Sequence, residues 1–438
     1  MWFFRDRVEF FRARRSPVQA ILRGKRSFGE SGRRSKKHPQ GAQGLTDHKA
    51  KRSDIQPFLV MEMLREANQK EAAGQSVLHL EVGQPSTGAP APVIEAARAA
   101  LLRRTLGYTE ATGLPALKRR IAAFYGARYG LSLDPRRVIV TTGSSGGFLL
   151  AWLAAFEAGD KVALVRPGYP AYRNILQALD LTAVEVPVTL ANRYQPTLAQ
   201  LEALPRDVRG LILASPSNPC GTMLRAFELE SILEWARTCG LLVTSDEIYH
   251  GITYGQPEET ALRFTDEAIV VNSFSKYFSM TGWRLGWLVV PERFIEPIER
   301  LAQNLTIAPP SLSQYAALEV FNCTAELDTH VVRYERNRQI VAKALREIGL
   351  DGFAVPDGAF YLYLDVGALT NDASAFTRAL LRDTGVAITT GVDFDRIDGH
   401  RHVRFSFAGS TEDVTHAMER FTAWVQAGAK AAAPAAAR

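Results

Sequence analysis

The segment Val271-Asn-Ser-Phe-Ser-Lys-Tyr-Phe-Ser-Met-Thr-Gly-Trp-Arg-Leu-Gly-Trp287 closes one apolar run and opens another, with Lys276 and Arg284 held between them. The flanking runs, residues 268–272 and 285–290, read as buried strands. A lysine directly after a buried strand, among small hydroxyl residues, is placed to lose its hydration. Removing an ammonium from water lowers its pKa, and only the neutral amine attacks an aldehyde, so Lys276 suits Schiff-base chemistry. Arg284 supplies a planar two-pronged donor of the kind that meets a phosphate. A strand-end lysine alone is more often a surface residue whose stem packs while its ammonium stays in water. The rest of the chain separates these readings.

Further short apolar or β-branched runs lie at 138–142, 161–165, 182–186, 211–214 and 241–245, each bounded by turn residues. Helical periodicity fills the gaps at 146–157, 171–179, 227–239 and 291–303. Strands alternating with helices specify an α/β fold, a mostly parallel seven-stranded sheet sandwiched by helices. Beyond about residue 321 the pattern changes to a long helix at 327–349, an apolar run at 358–365, a helix at 373–384 and a strand at 402–406. This is a smaller α+β domain. The expected organisation is a basic, disordered extension at 1–52, a segment at 53–88 that joins the small domain, a large domain at 89–320, the small domain at 321–426, and a disordered tail at 427–438. Within the extension, residues 1–22 are the one stretch with the character of an amphipathic helix.

The 438 residues exceed what one hydrophobic core usually supports, and a hydrophobic content of 46% is ordinary for a globular protein. No run approaches the roughly 20 apolar residues that span a bilayer, and the N-terminus lacks the pattern of a secretion signal. A cytoplasmic address and no membrane partner are expected. Cys220, Cys239 and Cys323 lack metal-ligand spacing and read as core thiols, so no metal is expected. The formal charge of +6 is local: residues 1–52 hold 15 Lys/Arg against 4 Asp/Glu, leaving 37 against 42 for the remainder. The folded body is mildly acidic, which argues against a nucleic-acid partner.

Three other segments carry chemistry. Val138-Ile-Val-Thr-Thr-Gly-Ser-Ser-Gly-Gly-Phe148 reads as strand, glycine turn and helix start. A helix N-terminus presents unpaired N–H groups and a positive dipole end, making Gly143, Ser144 and Ser145 a candidate phosphate cradle. N-capping by Ser144 explains the same residues about as well. In Leu241-Leu-Val-Thr-Ser-Asp-Glu-Ile-Tyr249 an apolar strand ends in Asp246, where open α/β sheets bind ligands. A carboxylate there can keep a pyridine nitrogen protonated, which makes such a ring an electron sink, and Tyr249 is spaced to donate to a ring oxygen. Asp246 also fits as the cap of the next segment. In Ser215-Pro-Ser-Asn-Pro-Cys-Gly221, prolines on both sides hold Asn218 stiffly, as suits a side chain aimed at one ligand atom.

The order and spacing of these segments, an S-N-P-x-G turn, a D-E-x-Y strand end, then S-F-S-K with R-L-G eight residues past the lysine, resemble the class I/II aminotransferases of the aspartate aminotransferase superfamily, fold type I. The resemblance runs from about residue 53 to 425. It implies pyridoxal 5'-phosphate as cofactor, with Lys276 as Schiff-base lysine and as the acid/base that moves the substrate α-proton. It makes Asp246 the partner of the pyridine nitrogen and assigns Asn218 and Tyr249 to the ring oxygen. Ser273, Ser275, Arg284 and the Gly143-Ser144-Ser145 turn would hold the phosphate, and Tyr169, in Arg166-Pro-Gly-Tyr-Pro170, would stack on the ring. Leu80-Glu-Val-Gly-Gln-Pro85 looks like the family's substrate loop, with Gly83 near the substrate carboxylate. Tyr108, in Gly107-Tyr-Thr-Glu-Ala-Thr-Gly113, would reach the phosphate of a partner subunit, implying a homodimer with shared sites. Arg404, in His402-Val-Arg-Phe-Ser406, would clamp the substrate α-carboxylate together with Asn218.

The implied reaction moves an amino group between an L-amino acid and a 2-oxo acid with ping-pong kinetics. A C–S β-lyase on the same fold is the nearest alternative, since it uses the lysine identically. An amino-acid-sensing DNA-binding regulator is the alternative of another class, and residues 1–52 show too little apolar periodicity to fold a helix-turn-helix. Some prokaryotic relatives specific for acidic substrates carry a lysine in the helix-opening turn. Ser144-Ser145-Gly146-Gly147 stands there instead, which speaks against recognition of a distal carboxylate and leaves neutral and aromatic donors open.

Overall fold

Seven apolar runs become seven strands: β1 Val138–Thr141, β2 Lys161–Arg166, β3 Thr182–Pro187, β4 Val208–Ala214, β5 Leu242–Asp246, β6 Ile269–Ser273 and β7 Gly286–Val289. They form one sheet in the order β1-β7-β6-β5-β4-β2-β3 in this computed structural model, which describes residues 49–103 and 105–428. β2 to β6 run parallel, and β7 is antiparallel to both β6 and β1. Between β6 and β7 the chain makes only the short turn Thr281–Trp283, not a crossover helix, so its direction reverses.

β1, β6 and β7 are buried at every residue, as expected of strands covered on both faces. Ile139, Val271 and Leu288 meet Phe148 and Trp152 of helix Gly143–Ala155 on one face. Val140, Val270 and Trp287 meet Leu117, Ile121 and Tyr125 of helix Pro115–Tyr129 on the other. The period-two alternation of each strand therefore feeds two apolar layers.

A second sheet is antiparallel, with β8 Tyr361–Asp365 and β9 His402–Ser406 paired and the short strand Thr389–Thr390 on the outer side of β9. Helices Thr324–Glu347 and Thr411–Gln426 pack together beside it, with Ala373–Thr384 adjoining. The chain's early part joins these late elements: Leu78–His79 pairs in parallel with Val386–Ala387. Helix Leu59–Ala72 is tied to them by Asp393, whose carboxylate accepts from Leu59 N and Val60 N, both at 3.1 Å.

All seven expected strands and their helices are present. The helix expected from residue 146 opens earlier, at Gly143, and its N-cap is Thr142 without a side-chain cap bond, so Ser144 is not the capping residue. Cys239 corrects a second expectation. Cys220 and Cys323 are buried, whereas Cys239, which ends helix Ala226–Thr238, is exposed. The expectations for residues 1–48, including the amphipathic stretch at 1–22, and for residues 429–438 lie outside the described residues. Residues 49–52 are described: Lys51–Ser53 forms a short 3-10 turn and Arg52 pairs with Asp180 at 2.8 Å. Among the described residues no helix is long and apolar enough to cross a membrane, and no cluster of potential ligands could hold a metal ion.

Candidate active site

The carboxyl ends of β4, β5 and β6 open on a cavity of about 510 Å³, the position where an open α/β sheet binds ligands. Lys276, three residues past β6, reaches into it and donates from Nζ to the Gly83 carbonyl at 2.5 Å. Its ammonium is pushed down to about 8, first by burial and then by the positive charges of Arg404 and Arg284, with Asp246 opposing. Near neutral pH a usable fraction of this amine is therefore neutral.

Asp246, the last residue of β5, is buried, and its carboxyl is pushed up to about 6 by that burial. Tyr172 Oη donates to its Oδ2, and Ile248 N donates to its Oδ1 at 3.1 Å. Asp246 thus caps the turn that follows and still faces the cavity. A cationic ring nitrogen would relieve its burial without any rearrangement.

Arg284 lines the same cavity, as do Ser144, Ser145 and Thr281. Its backbone is left-handed, φ +52°, and its Nη1 donates to the Thr281 carbonyl at 3.0 Å. Gly143 explains how the guanidinium gets there: with φ +73°, a Cβ on Gly143 would sit 2.5 Å from Arg284 Nη2. The open helix end and the guanidinium together form an anion site.

Arg404, in the middle of β9, is buried against two rings, Tyr361 at 4.4 Å and Phe394 at 4.7 Å from the guanidinium carbon. Nη1 donates to Asn218 Oδ1 at 2.9 Å and Nη2 to the Glu81 carbonyl at 2.5 Å, while Nε has no hydrogen-bond partner. A buried guanidinium with a donor left over and no carboxylate within ion-pair distance is suited to receive an anion.

Eleven sequence-derived candidates line this one cavity: Gly83, Ser144, Ser145, Tyr169, Asn218, Asp246, Tyr249, Ser275, Lys276, Arg284 and Arg404. Gly143 and Ser273 lie behind its wall, Ser273 Oγ being engaged by Ser275 Oγ at 2.9 Å and the Leu285 carbonyl at 3.1 Å. Tyr108 is 81% exposed and does not line it. The sequence reading missed Tyr361, Tyr172, Thr281, Asp393 and the apolar collar Phe58, Val60, Met61 and Val82. Tyr172 carried a readable signal: three residues past Tyr169 on a helix, it shares that residue's face. Val82 stood in the quoted loop 80–85, whereas Tyr361, Phe58, Val60 and Met61 carried none, because only the tertiary fold brings them to this cavity.

Comparison with known proteins places this architecture in context. Residues 75–421 match the family described as Aminotransferase class I and II. The chain is 47% identical over 385 residues to a valine–pyruvate aminotransferase of Mycobacterium tuberculosis, covering 87% of this chain and 99% of that protein. It is similar to the crystal structure of an aminotransferase from Mycobacterium tuberculosis, with a TM-score of 0.85 and 46% identity over 87% of this chain and all of that one. It is also similar to the aspartate aminotransferase of Thermus thermophilus with maleate, with a TM-score of 0.81 and 28% identity over 86% of this chain and 99% of that one.

Proposed function

The chain belongs to the class I and II aminotransferase family and moves an amino group between an amino acid and a 2-oxo acid, and we propose that it does so with pyridoxal phosphate on Lys276, a small apolar L-amino acid as donor and pyruvate as acceptor. The donor set fits that cofactor. It offers an amine that is readily neutral, a buried carboxylate wanting a cation, and an anion site at a helix start where a missing Cβ admits Arg284. When bound, the cofactor supplies an aldehyde and an electron-withdrawing ring.

The protein's own groups divide the remaining work. Lys276 would hold the cofactor, and once released its neutral amine would accept the substrate α-proton and give a proton back to the cofactor carbon that had carried the lysine. Asp246 would keep the ring nitrogen protonated, Tyr249 and Asn218 would meet the ring oxygen, and Tyr169 would lie against the ring. Ser144, Ser145, Ser275 and Arg284, backed by Gly143 and Ser273, would hold the phosphate. Arg404 would exchange its Asn218 and Glu81 contacts for the substrate carboxylate, with Gly83 beside it. Because one site serves both half-reactions, ping-pong kinetics follow. We extend the reading to a cytoplasmic homodimer in which Tyr108 completes the partner's phosphate site. In its support, Ser311 Oγ donates to the Gly107 carbonyl at 2.6 Å, which gathers exposed Tyr108, Leu106, Leu305 and Ile307 in neighbouring segments.

The substrate class rests on one observation. Among the described residues lining the cavity the cations are Lys276, Arg284 and Arg404, each already assigned, and the lining also includes the apolar Phe58, Val60, Met61 and Val82 and the buried carboxylate of Asp393. Nothing there pairs with a distal carboxylate, and an apolar side chain fills the collar favourably. A panel of amino donors against pyruvate and 2-oxoglutarate tests this. Valine with pyruvate should exceed aspartate with either acceptor by at least about tenfold in kcat/KM. Aspartate as the preferred donor would overturn it.

A further inference from the structure

Tyr361, at the start of β8, touches both halves of the site. Its hydroxyl lies 2.8 Å from that of Tyr249, and both side chains are buried. Its ring supports the Arg404 guanidinium at 4.4 Å. The register explains the second contact: Tyr361 pairs with Ser406 and Tyr363 with Arg404, so Tyr361 and Arg404 are diagonal neighbours on one face of the sheet. Gly83 rests on the same phenol, since a Cβ there would fall 1.7 Å from Tyr361 Oη.

A phenol has one hydrogen and two lone pairs. If Tyr249 spends its hydrogen on the cofactor ring oxygen, the bond between the two phenols can run only from Tyr361 to Tyr249. We propose that Tyr361 is a positioning residue of this aminotransferase, its hydroxyl donating to the Tyr249 oxygen so that the Tyr249 hydrogen is aimed at the cofactor ring oxygen, and its ring face seating Arg404 for the substrate carboxylate. This rests on the pyridoxal phosphate reading above. A phenol that accepts a hydrogen bond becomes a better donor, so Tyr361 strengthens what Tyr249 gives to the ring oxygen. The charged and titratable groups around the pair are Lys276, Arg404, Asp246 and Tyr169, none of which supplies a second hydrogen to the Tyr249 oxygen.

The test is spectroscopic, on the holoenzyme. The visible band of the lysine–cofactor linkage is titrated against pH in wild type, Tyr361→Phe, Tyr249→Phe and the double variant. Tyr361→Phe removes only the hydroxyl and should raise the midpoint by about half a unit, a fraction of what one neutral hydrogen bond is worth. In the Tyr249→Phe background the same change should do nothing, because its target is gone. Tyr361→Leu, which also removes the ring, should weaken binding of the unreactive carboxylate isovalerate by about fivefold or more, whereas Tyr361→Phe should leave it within about twofold. An unmoved midpoint in Tyr361→Phe, or an equal shift in both backgrounds, would overturn the proposal. A wild-type protein with no reducible visible band would instead sink the cofactor reading on which it stands.

Discussion

Replacing Asp246 by Asn should make the cofactor-free protein more stable while disabling the loaded one. The native carboxyl keeps its proton up to about pH 6, whereas its ordinary value is 3.8. Between those values the native state binds more protons than the unfolded chain, so stability falls as pH rises through the window. The full penalty above pH 6, about two units, is on the order of 3 kcal/mol, and it shrinks to about 1 kcal/mol by pH 4.5. Asn has nearly the same shape and no charge to bury. The hydrogen bonds it loses from Tyr172 or Ile248 contribute a difference that does not vary with pH. The measurement is urea denaturation of both cofactor-free proteins at pH 7.5 and 4.5. The stability of Asp246→Asn relative to wild type should be larger at the higher pH by about 2 kcal/mol. Reconstituted with cofactor, the variant should turn over about 10²- to 10³-fold more slowly, because an amide cannot hold the ring nitrogen protonated. A stability difference independent of pH would refute the assignment of a strained buried carboxylate.

Two further substitutions probe the substrate end. Arg404→Lys keeps the charge but loses the planar pair of donors, so KM for the amino donor should rise about 10- to 100-fold in steady-state assays, with a smaller change in kcat. Gly83→Ala puts a Cβ against the Tyr361 hydroxyl and must displace the loop whose carbonyl binds Lys276. A drop of about 10- to 100-fold in kcat/KM is expected, with little change in thermal stability, since the loop can move outward.

The fold was legible because each strand of the large sheet is a short apolar run between turn residues, as at 161–165 and 268–272. The direction of β7 was not read, although its cause is local: the link from Ser273 to Gly286 is too short for a crossover helix. In the site, Lys276, Asp246, Asn218 and Arg284 were legible because each lies at or near a strand end and keeps a fixed spacing to its neighbours. Gly143 was singled out for its place in a phosphate turn, but its physical reason, room for the Arg284 guanidinium, needed coordinates. Tyr361 stands in Phe360-Tyr-Leu-Tyr363, which reads only as packing. Residues 54–58, ahead of helix Leu59–Ala72, read only as part of a joining segment, yet they bring the Phe58 ring centroid to within 6.0 Å of that of Tyr169. Residues that act through contacts between distant segments are invisible to spacing.

In the proposed function Lys276 carries the cofactor and moves the proton. Borohydride reduction of the purified holoenzyme, followed by mass measurement of the peptide spanning residues 271–287, tests it most directly. Wild type should retain one reduced pyridoxyl phosphate on Lys276, and Lys276→Ala should retain none and lose nearly all turnover even with free cofactor supplied. A reduced cofactor on another lysine, or a Lys276→Ala protein that keeps both its tether and its activity, would contradict the account.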